Sequence, residues 1–365
     1  MKKSFYMFTV FLIFSCSSTD DSNNEKKSTS ESLNNNSEYI LPQCNDFAKI
    51  NDNLLLLLRT LGYDTNDDGK ISCSEANSII NLNLGDDNRI INLDGIESLK
   101  NLEIITGAVY IEATVNLFNN TKLKEINFNV LSKKGTSRIN TLILPNGNSL
   151  VKLDCSFTST FQVKNITNQS NLKIIRFAES TIQGELDLSN CSSLEEIRLP
   201  HNKLDAIKLT SHNSLKILEI SGEREVPRLK EINTIGLPNL EELYLTGNLV
   251  TNLNLSKNER LKILNLTNNK LPTINLKNNL LLEDVILNLN LLGSLDLSSN
   301  INLKRVKVTN NYLTYLNLKN QNNDKITEMD ATSNNNLVCI QIDKLVPHGI
   351  YWKKDSKAVY SIECK

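Results

Sequence analysis

The stretch DTNDDGKISCSE, Asp64 to Glu75, sets oxygen-bearing side chains at alternate positions around a glycine. Asp64, Asn66 and Asp68 stand at positions 1, 3 and 5, Gly69 at 6, Lys70 at 7, Ser72 at 9 and Glu75 at 12. Hard oxygen ligands at this spacing suit Ca²⁺, with the Lys70 backbone carbonyl as one donor, Ser72 acting through water and Glu75 as a bidentate ligand. Glycine at position 6 permits the sharp turn, and Ile71 at 8 is apolar. A metal-free polar turn between two helices is the alternative reading.

Two elements must position the loop. NDFAKINDNLLLLLRTLGY can supply the helix that enters it. The helix that leaves it has room for only a turn or two, because INLNL from Ile80 already reads as strand. The loop resembles that of the EF-hand family, but no second loop is present to pair with it. A lone loop is a poor switch, and as an extracellular module it implies a calcium affinity of about 10⁻⁴–10⁻³ M. Its place just before NRIINLDGIESL predicts a structural role, with calcium locking an N-terminal cap onto the first coil of the chain beyond it.

Other chemistry is sparse. His201, His212 and His348 lie far apart, and no Ser-His-Asp order, HExxH, phosphate-binding glycine loop or isolated carboxylate pair stands out, so no catalytic residues are assigned and an enzyme is not expected. No CxxC suggests a zinc or thioredoxin-like site. A formal net charge of −1 gives no long-range field for nucleic acid or anionic lipid.

The remainder is repetitive. From Leu240, LEELYLTGNLVTNLNLSKNER is succeeded by LKILNLTNNKLPTINLKNNLL and LEDVILNLNLLGSLDLSSNIN, a period of 21 residues with frame leucines Leu240, Leu261, Leu282 and Leu303. A more degenerate frame runs upstream through Leu215, Leu194, Leu172, Leu150 and Leu123, giving roughly ten coils. In LNL, Leu264 and Leu266 point the same way from a strand and enter a core, while Asn265 faces solvent. Asn248, Asn269, Asn290, Asn311 and Asn334 share the place where the chain turns away from the strand. An asparagine there can donate to and accept from neighbouring coils, so these residues read as structural.

This pattern resembles the leucine-rich repeats of bacterial surface proteins, the internalin-like group included, and NRIINLDGIESLKNLEII resembles the internalin-type start of such an array. The implied fold is a leucine-rich-repeat solenoid: a parallel β-sheet on the concave face, short extended or 3₁₀ convex segments and a small helical N-terminal cap. Solenoids need capped ends. LVCIQIDKLVPHGIYWKKDSKAVYSIEC breaks the period, holds the only tryptophan, Trp352, and resembles the terminal module of lipid-anchored repeat proteins from Bacteroidetes-type bacteria. Trp352 is expected to cover the last coil rather than to stack on sugar.

The N-terminus reads as a targeting segment. MKK precedes an apolar run too short for a typical span, ending at IFSC, which resembles a lipobox with Cys16 as the lipidated residue. Phe14 is bulkier than is usual there, and a plain secretory signal with an incidental cysteine is the alternative. The polar run after it cannot bury a core and would act as a tether spanning roughly 25 Å. Export permits disulfides. The expected pairs are Cys339 with Cys364 and Cys44 with Cys73. Cys155 fits a repeat core position and Cys191 a different phase, so these two are left unpaired.

The expected organisation is a signal peptide over 1–15, a lipidated tether over 16–38, a helix-loop-helix cap over 39–87, repeats over 88–336 and a C-terminal cap over 337–365. Solvent-facing strand positions include Glu196, Arg198, Glu219, Glu242, Tyr244, Asp284, Arg305, Lys307, Glu328 and Asp330. Charge with a tyrosine suits a polar protein interface, with Tyr244, Arg305 and Lys307 as the partner-binding candidates. The resulting expectation is a monomeric lipoprotein, held in the outer membrane by its anchor alone, exposed at the cell surface, and binding a host or bacterial protein. Glycan capture is the alternative, disfavoured by an aromatic content of 5%.

Overall fold

The computed structural model describes residues 46–85, 92–109, 113–129, 137–159, 162–222, 228–344 and 351–364. The segments 1–15 and 16–38, the lipidation candidate Cys16 and the cysteine Cys44 lie outside the described residues.

Thirteen short parallel strands stack into one sheet that runs from Asn81–Asn83 to Trp352–Lys354 among the described residues. Each contributes three or four residues, because the chain needs only one apolar side chain between two outward ones to make a coil of this kind. Ile263–Asn265 shows the rule: Leu264 is fully buried, its neighbours are half-buried, and Leu266 just beyond is buried again. Successive strands pair in register across one repeat, Leu243 with Leu264 and Leu264 with Val285. The structure is a leucine-rich-repeat solenoid. The opposite side carries extended segments, such as Ser294–Asp296, Tyr315–Asn317, Cys339–Gln341 and Val359–Ser361, which form a second parallel sheet. Single 3₁₀ turns occur at Ile96–Ser98, Ile166–Asn168 and Asn323–Lys325.

Thirteen strands exceed the ten coils that the leucine frame suggests. The additional coils are at the ends, where Ile79, Leu102 and Ile326 hold the frame position and Met329 and Trp352 the central strand position. The C-terminal segment that breaks the period still makes a coil: Trp352 pairs with Met329, and Tyr360 with Ile340. The Trp352 indole N–H donates to Ile326 O at 2.8 Å, and its ring lies 5.9 Å from that of Tyr360. Together they lie over the last core, and Trp352 has the covering place expected of it.

At the front, α1 (Asp52–Thr60) starts at Asn51, whose side chain accepts from the Asn53 and Leu54 amides. This is an ordinary asparagine N-cap. Leu54 and Leu58, four apart, bury one face against the same core as the coils. α2 (Cys73–Ser78) is six residues long, in keeping with the room left before the first strand. Asn51 N–H donates to Asp94 O at 3.1 Å, and Ser98 Oγ to Lys49 O at 3.3 Å, so the cap is sewn to the first coil. Gly95 allows the contact: it adopts φ 95°, and a Cβ there would come within 2.3 Å of Lys49 O. Gly95→Ala is expected to loosen the cap, read as faster hydrogen exchange over α1 with later coils unchanged.

Candidate functional site

The outward face of the long sheet is built from two rows of side chains flanking the buried central one. One row reads Glu196, Ile217, Glu242, Ile263, Asp284, Arg305, Glu328; the other reads Arg198, Glu219, Tyr244, Asn265, Ile286, Lys307, Asp330. Parallel strands lie about 4.8 Å apart, so a charge on one coil reaches its counterpart on the next. Nearly every charge uses that reach. Glu196 accepts from Arg176 Nε at 2.7 Å and Arg198 Nε at 2.9 Å, and Arg198 Nη1 donates to Glu219 Oε2 at 2.8 Å. Arg305 donates through both arms of its guanidinium to Asp284, and Lys307 Nζ lies 2.8 Å from Glu328 Oε1.

The three partner-binding candidates are therefore on the outward face but not together. Tyr244 lies three strands from Lys307, roughly 14 Å. Tyr244 Oη donates to Glu242 Oε2 at 3.0 Å, and burial, reinforced by that carboxylate, pushes its pKa up to about 12. Arg305 and Lys307 are spoken for by acidic neighbours. Asp284, expected to face solvent, is 7% exposed, because the Arg305 side chain covers it. Arg305→Glu would leave that buried carboxylate facing another, so it tests folding more than binding.

The half-buried apolar strip on this face is not among the residues singled out from the sequence. Ile217 and Ile263 lie on the strands either side of Tyr244 and Ile286 lies one strand further, with Glu242 and Asn265 between them, bordered on one side by the Arg176–Glu196–Arg198–Glu219 network and on the other by the Asp284–Arg305 and Lys307–Glu328 pairs. Its signal is present there, as isoleucine at solvent-facing strand positions. Beside the strands runs a row that alternates in sign: Lys173, Glu195, Lys216, Glu241, Lys262, Glu283, Lys304. Lys262–Glu241 at 2.7 Å and Lys304–Glu283 at 2.6 Å typify its pairs. Exposed pairs of this kind add little stability each. Their effect is to leave the rim of the sheet nearly without net field.

The asparagine positions read as structural are so. Asn290 Nδ2 donates to Leu266 O and Leu287 O, and its Oδ1 accepts from Leu271 N. Asn269, Asn311 and Asn334 repeat this arrangement. A second ladder goes beyond what the sequence pattern singled out. Asn258, Asn279 and Asn300, three residues before frame leucines, each donate to two carbonyls of the coils behind them. Earlier coils fill its positions with other donors: Gln169 to Pro145 O, Cys191 Sγ to Ile166 O, and His212 Nε2 to Leu188 O while Nδ1 accepts from Thr210 N. This row explains the phase of Cys191. Cys155 and Cys191 are both free and buried, and burial raises both thiols, Cys191 to about 11.

The loop between α1 and α2 is wound around its own side-chain oxygens. Asp64 accepts from Asp68 N at 3.1 Å and Gly69 N at 2.9 Å, Asn66 Oδ1 from Asp68 N at 3.2 Å, and Asp68 from Lys70 N at 2.9 Å. Gly69 has φ 82°, the sharp turn that the sequence implies, and Asp67 is also left-handed at φ 56°. Glu75 accepts from Thr65 Oγ1 and N and from Ser72 N, while Ser72 Oγ accepts from Glu75 N, a capping box for α2. The Thr65 hydroxyl first, then these amides, lower the Glu75 pKa to about 2. The donor set is hard oxygen throughout, which fits Ca²⁺. Against it, Arg59 Nε holds Asp64 at 3.2 Å, and the described residues contain no group of three His, Cys, Asp or Glu poised around one point.

Cys339 and Cys364 form the expected disulfide across 25 residues. Cys73 is also disulfide-bonded. No helix among the described residues is long and apolar enough to cross a membrane.

No protein-family model matches the sequence, and no curated protein matches it. Solved structures do. The functional domain of InlJ from Listeria monocytogenes, which includes a cysteine ladder, is similar with a TM-score of 0.57 and 21% identity. The match covers 80% of this chain and 64% of that one, so this chain spans less than two thirds of that protein's length. An internalin from the same organism matches with a TM-score of 0.48 and 16% identity, covering 86% of this chain and 95% of that chain. A leucine-rich-repeat protein from Leptospira interrogans gives 0.42 and 15%, covering 79% and 97%. At these identities the likeness is one of fold.

Proposed function

We propose that this solenoid binds a protein partner through the outward face of its long sheet. The observation that carries the reading is the half-buried strip of Ile217, Tyr244, Ile263 and Ile286 bordered by internally paired charges. An apolar centre with a polar border is the anatomy of a protein interface, and tyrosine and arginine are favoured there. Charges already paired within the chain cost less to desolvate than free ones. The contact is therefore centred on Tyr244, with Arg305 and Lys307 at its border.

The same reading places the protein at the cell surface as a monomeric lipoprotein anchored in the outer membrane through Cys16. It rests on the lipobox-like IFSC and the polar run after it. Radiolabelled fatty acid should enter the wild type and not Cys16→Ala.

Ca²⁺ would be held by Asp64, Asn66, Asp68, the Lys70 carbonyl, Ser72 and Glu75. It would neutralise the loop carboxylates and fix α1 against α2. Calorimetric titration of the chain from Ser17 onward should show a binding heat in the 10⁻⁴–10⁻³ M range that Asp64→Ala removes. No heat, and EDTA without effect on melting or protease resistance, would end the calcium reading.

The interface is tested by immobilising the same chain and passing cell-surface extracts over it. Tyr244→Ala with Ile286→Thr removes two of the four apolar side chains, the tyrosine among them, and leaves every ion pair intact. A protein retained by the wild type and released at least tenfold faster by this variant is the expected result, in line with losing a central aromatic anchor. Equal retention by both would move the interface elsewhere.

A further inference from the structure

We infer that the turns leaving the long sheet between Asn268 and Asn336 form a second binding site, for a neutral polyhydroxylated ligand, that is, an uncharged glycan chain. A groove of about 550 Å³ runs there across four coils. That volume lies in the range of small-ligand sites. Its floor is the asparagine ladder, Asn269, Asn290 and Asn311, and its walls carry Leu289, Leu291 and Tyr312.

Three observations point to a ligand. First, the walls expose apolar surface that the fold does not require. Tyr312 is 61% exposed, Leu289 49% and Leu291 42%. Second, Leu289 sits in the left-handed region at φ 58°, at a turn position that is left-handed in Gly247, Asn268, Asn310 and Ser333 of neighbouring coils and in Phe157, Glu179 and His201 further upstream. Glycine and asparagine take this conformation readily; a bulky residue does so at a cost. Here leucine bears that cost and is not repaid by burial. The turn imposes the angle on coil after coil; what is particular to this groove is a half-exposed leucine between coils that place asparagine there. Third, the groove has little charge. Lys270 is its only ionic side chain, and Asn268, Asn310, Asn335 and Asn336 add amides.

The chemistry selects the ligand class. Backbone groups in the groove are already used between coils: Asn268 N donates to Asn288 O, Leu289 N to Thr309 O, Leu291 N to Leu271 O and Tyr312 N to Leu292 O. No N–H row is left to which a peptide strand could add. Recognition falls to side-chain amides, each of which donates and accepts as a hydroxyl does. The tyrosine ring and the two leucines offer apolar surface for the C–H face of a sugar. Coils repeat at about 4.8 Å, so the groove sets its amides and apolar side chains on successive coils along a chain.

The test is affinity electrophoresis of the full chain through gels containing neutral polysaccharides: a β-glucan, a galactomannan and an α-mannan, with polygalacturonate as the charged comparison. Retardation by at least one neutral polymer is expected, with apparent affinity falling about tenfold in Tyr312→Ala, the scale of one aromatic contact. Leu289→Asn should also weaken retardation while leaving the melting temperature equal or higher, since asparagine is at home at that backbone angle. A merely structural leucine would show the opposite pattern. Tyr244→Ala with Ile286→Thr should be retarded like the wild type, which separates this site from the sheet face. No retardation by any neutral polymer, stronger retardation by polygalacturonate, or equal retardation of both groove variants overturns the inference.

Discussion

Asn290→Ala should destabilise the solenoid by about 3 kcal/mol, several times more than an average surface change. The side chain is 3% exposed and meets three backbone groups, the carbonyls of Leu266 and Leu287 and the amide of Leu271. Alanine leaves the Leu271 amide buried without a partner, at roughly 1–3 kcal/mol, and takes one of two donors from each carbonyl, since Leu266 O keeps Asn269 Nδ2 and Leu287 O keeps Asn311 Nδ2. Asn290→Asp is the sharper control. It keeps the acceptor and the shape but sets a buried carboxylate oxygen against the Leu266 and Leu287 carbonyls, and so should be at least as damaging. The second ladder behaves differently. Asn279 uses only its donor, and its Oδ1 has no partner in the structure. Asn279→Cys should therefore cost less than half as much as Asn290→Cys, because an earlier coil already works with a thiol at Cys191. Denaturant melts of the four variants measure this. Equal losses in the two rows would show that the accepted bond is not what distinguishes them.

Replacing both Cys339 and Cys364 by serine should cost about 3 kcal/mol, from the entropy that closing 25 residues removes from the unfolded chain. The bond ties a strand of the second sheet to residues just past the last one, Val359–Ser361. Without it the final coil, with Trp352 over the core, is held by one neighbour only. In a solenoid each coil rests mainly on the next, so this end should open before the rest. The expected signature is an early transition in Trp352 fluorescence ahead of the main loss of β-structure, absent in the oxidised wild type. A single coincident transition with an unchanged midpoint would show that the last coil is stable without its staple.

Much of this architecture is readable from residues. A leucine every 21 positions, with others three and five places on, can bury a continuous core only by coiling, and the alternation around Leu264 fixes which side chains face in. The first asparagine ladder comes from the same frame, since a turn beside a strand needs both a donor and an acceptor. The loop from Asp64 to Glu75 is legible because its turn demands Gly69 and its oxygens must alternate. The second ladder is equally periodic but is obscured where glutamine, cysteine and histidine stand in for asparagine.

What tertiary structure alone decided is who meets whom. Tyr244, Arg305 and Lys307 are outward-facing by pattern, yet the pattern does not say that Arg305 is committed to Asp284 or Lys307 to Glu328. Those pairings depend on which coils stack about 4.8 Å apart and on which side chain is long enough to lie over its neighbour. The same holds at the ends, where Trp352 makes a coil without a frame leucine, and in the groove, where Leu289 and Tyr312 become neighbours only after the intervening chain has gone around the core. A one-dimensional period specifies inside and outside for each residue. Partners across coils are set by packing, and the outward face and the groove are made of those partners.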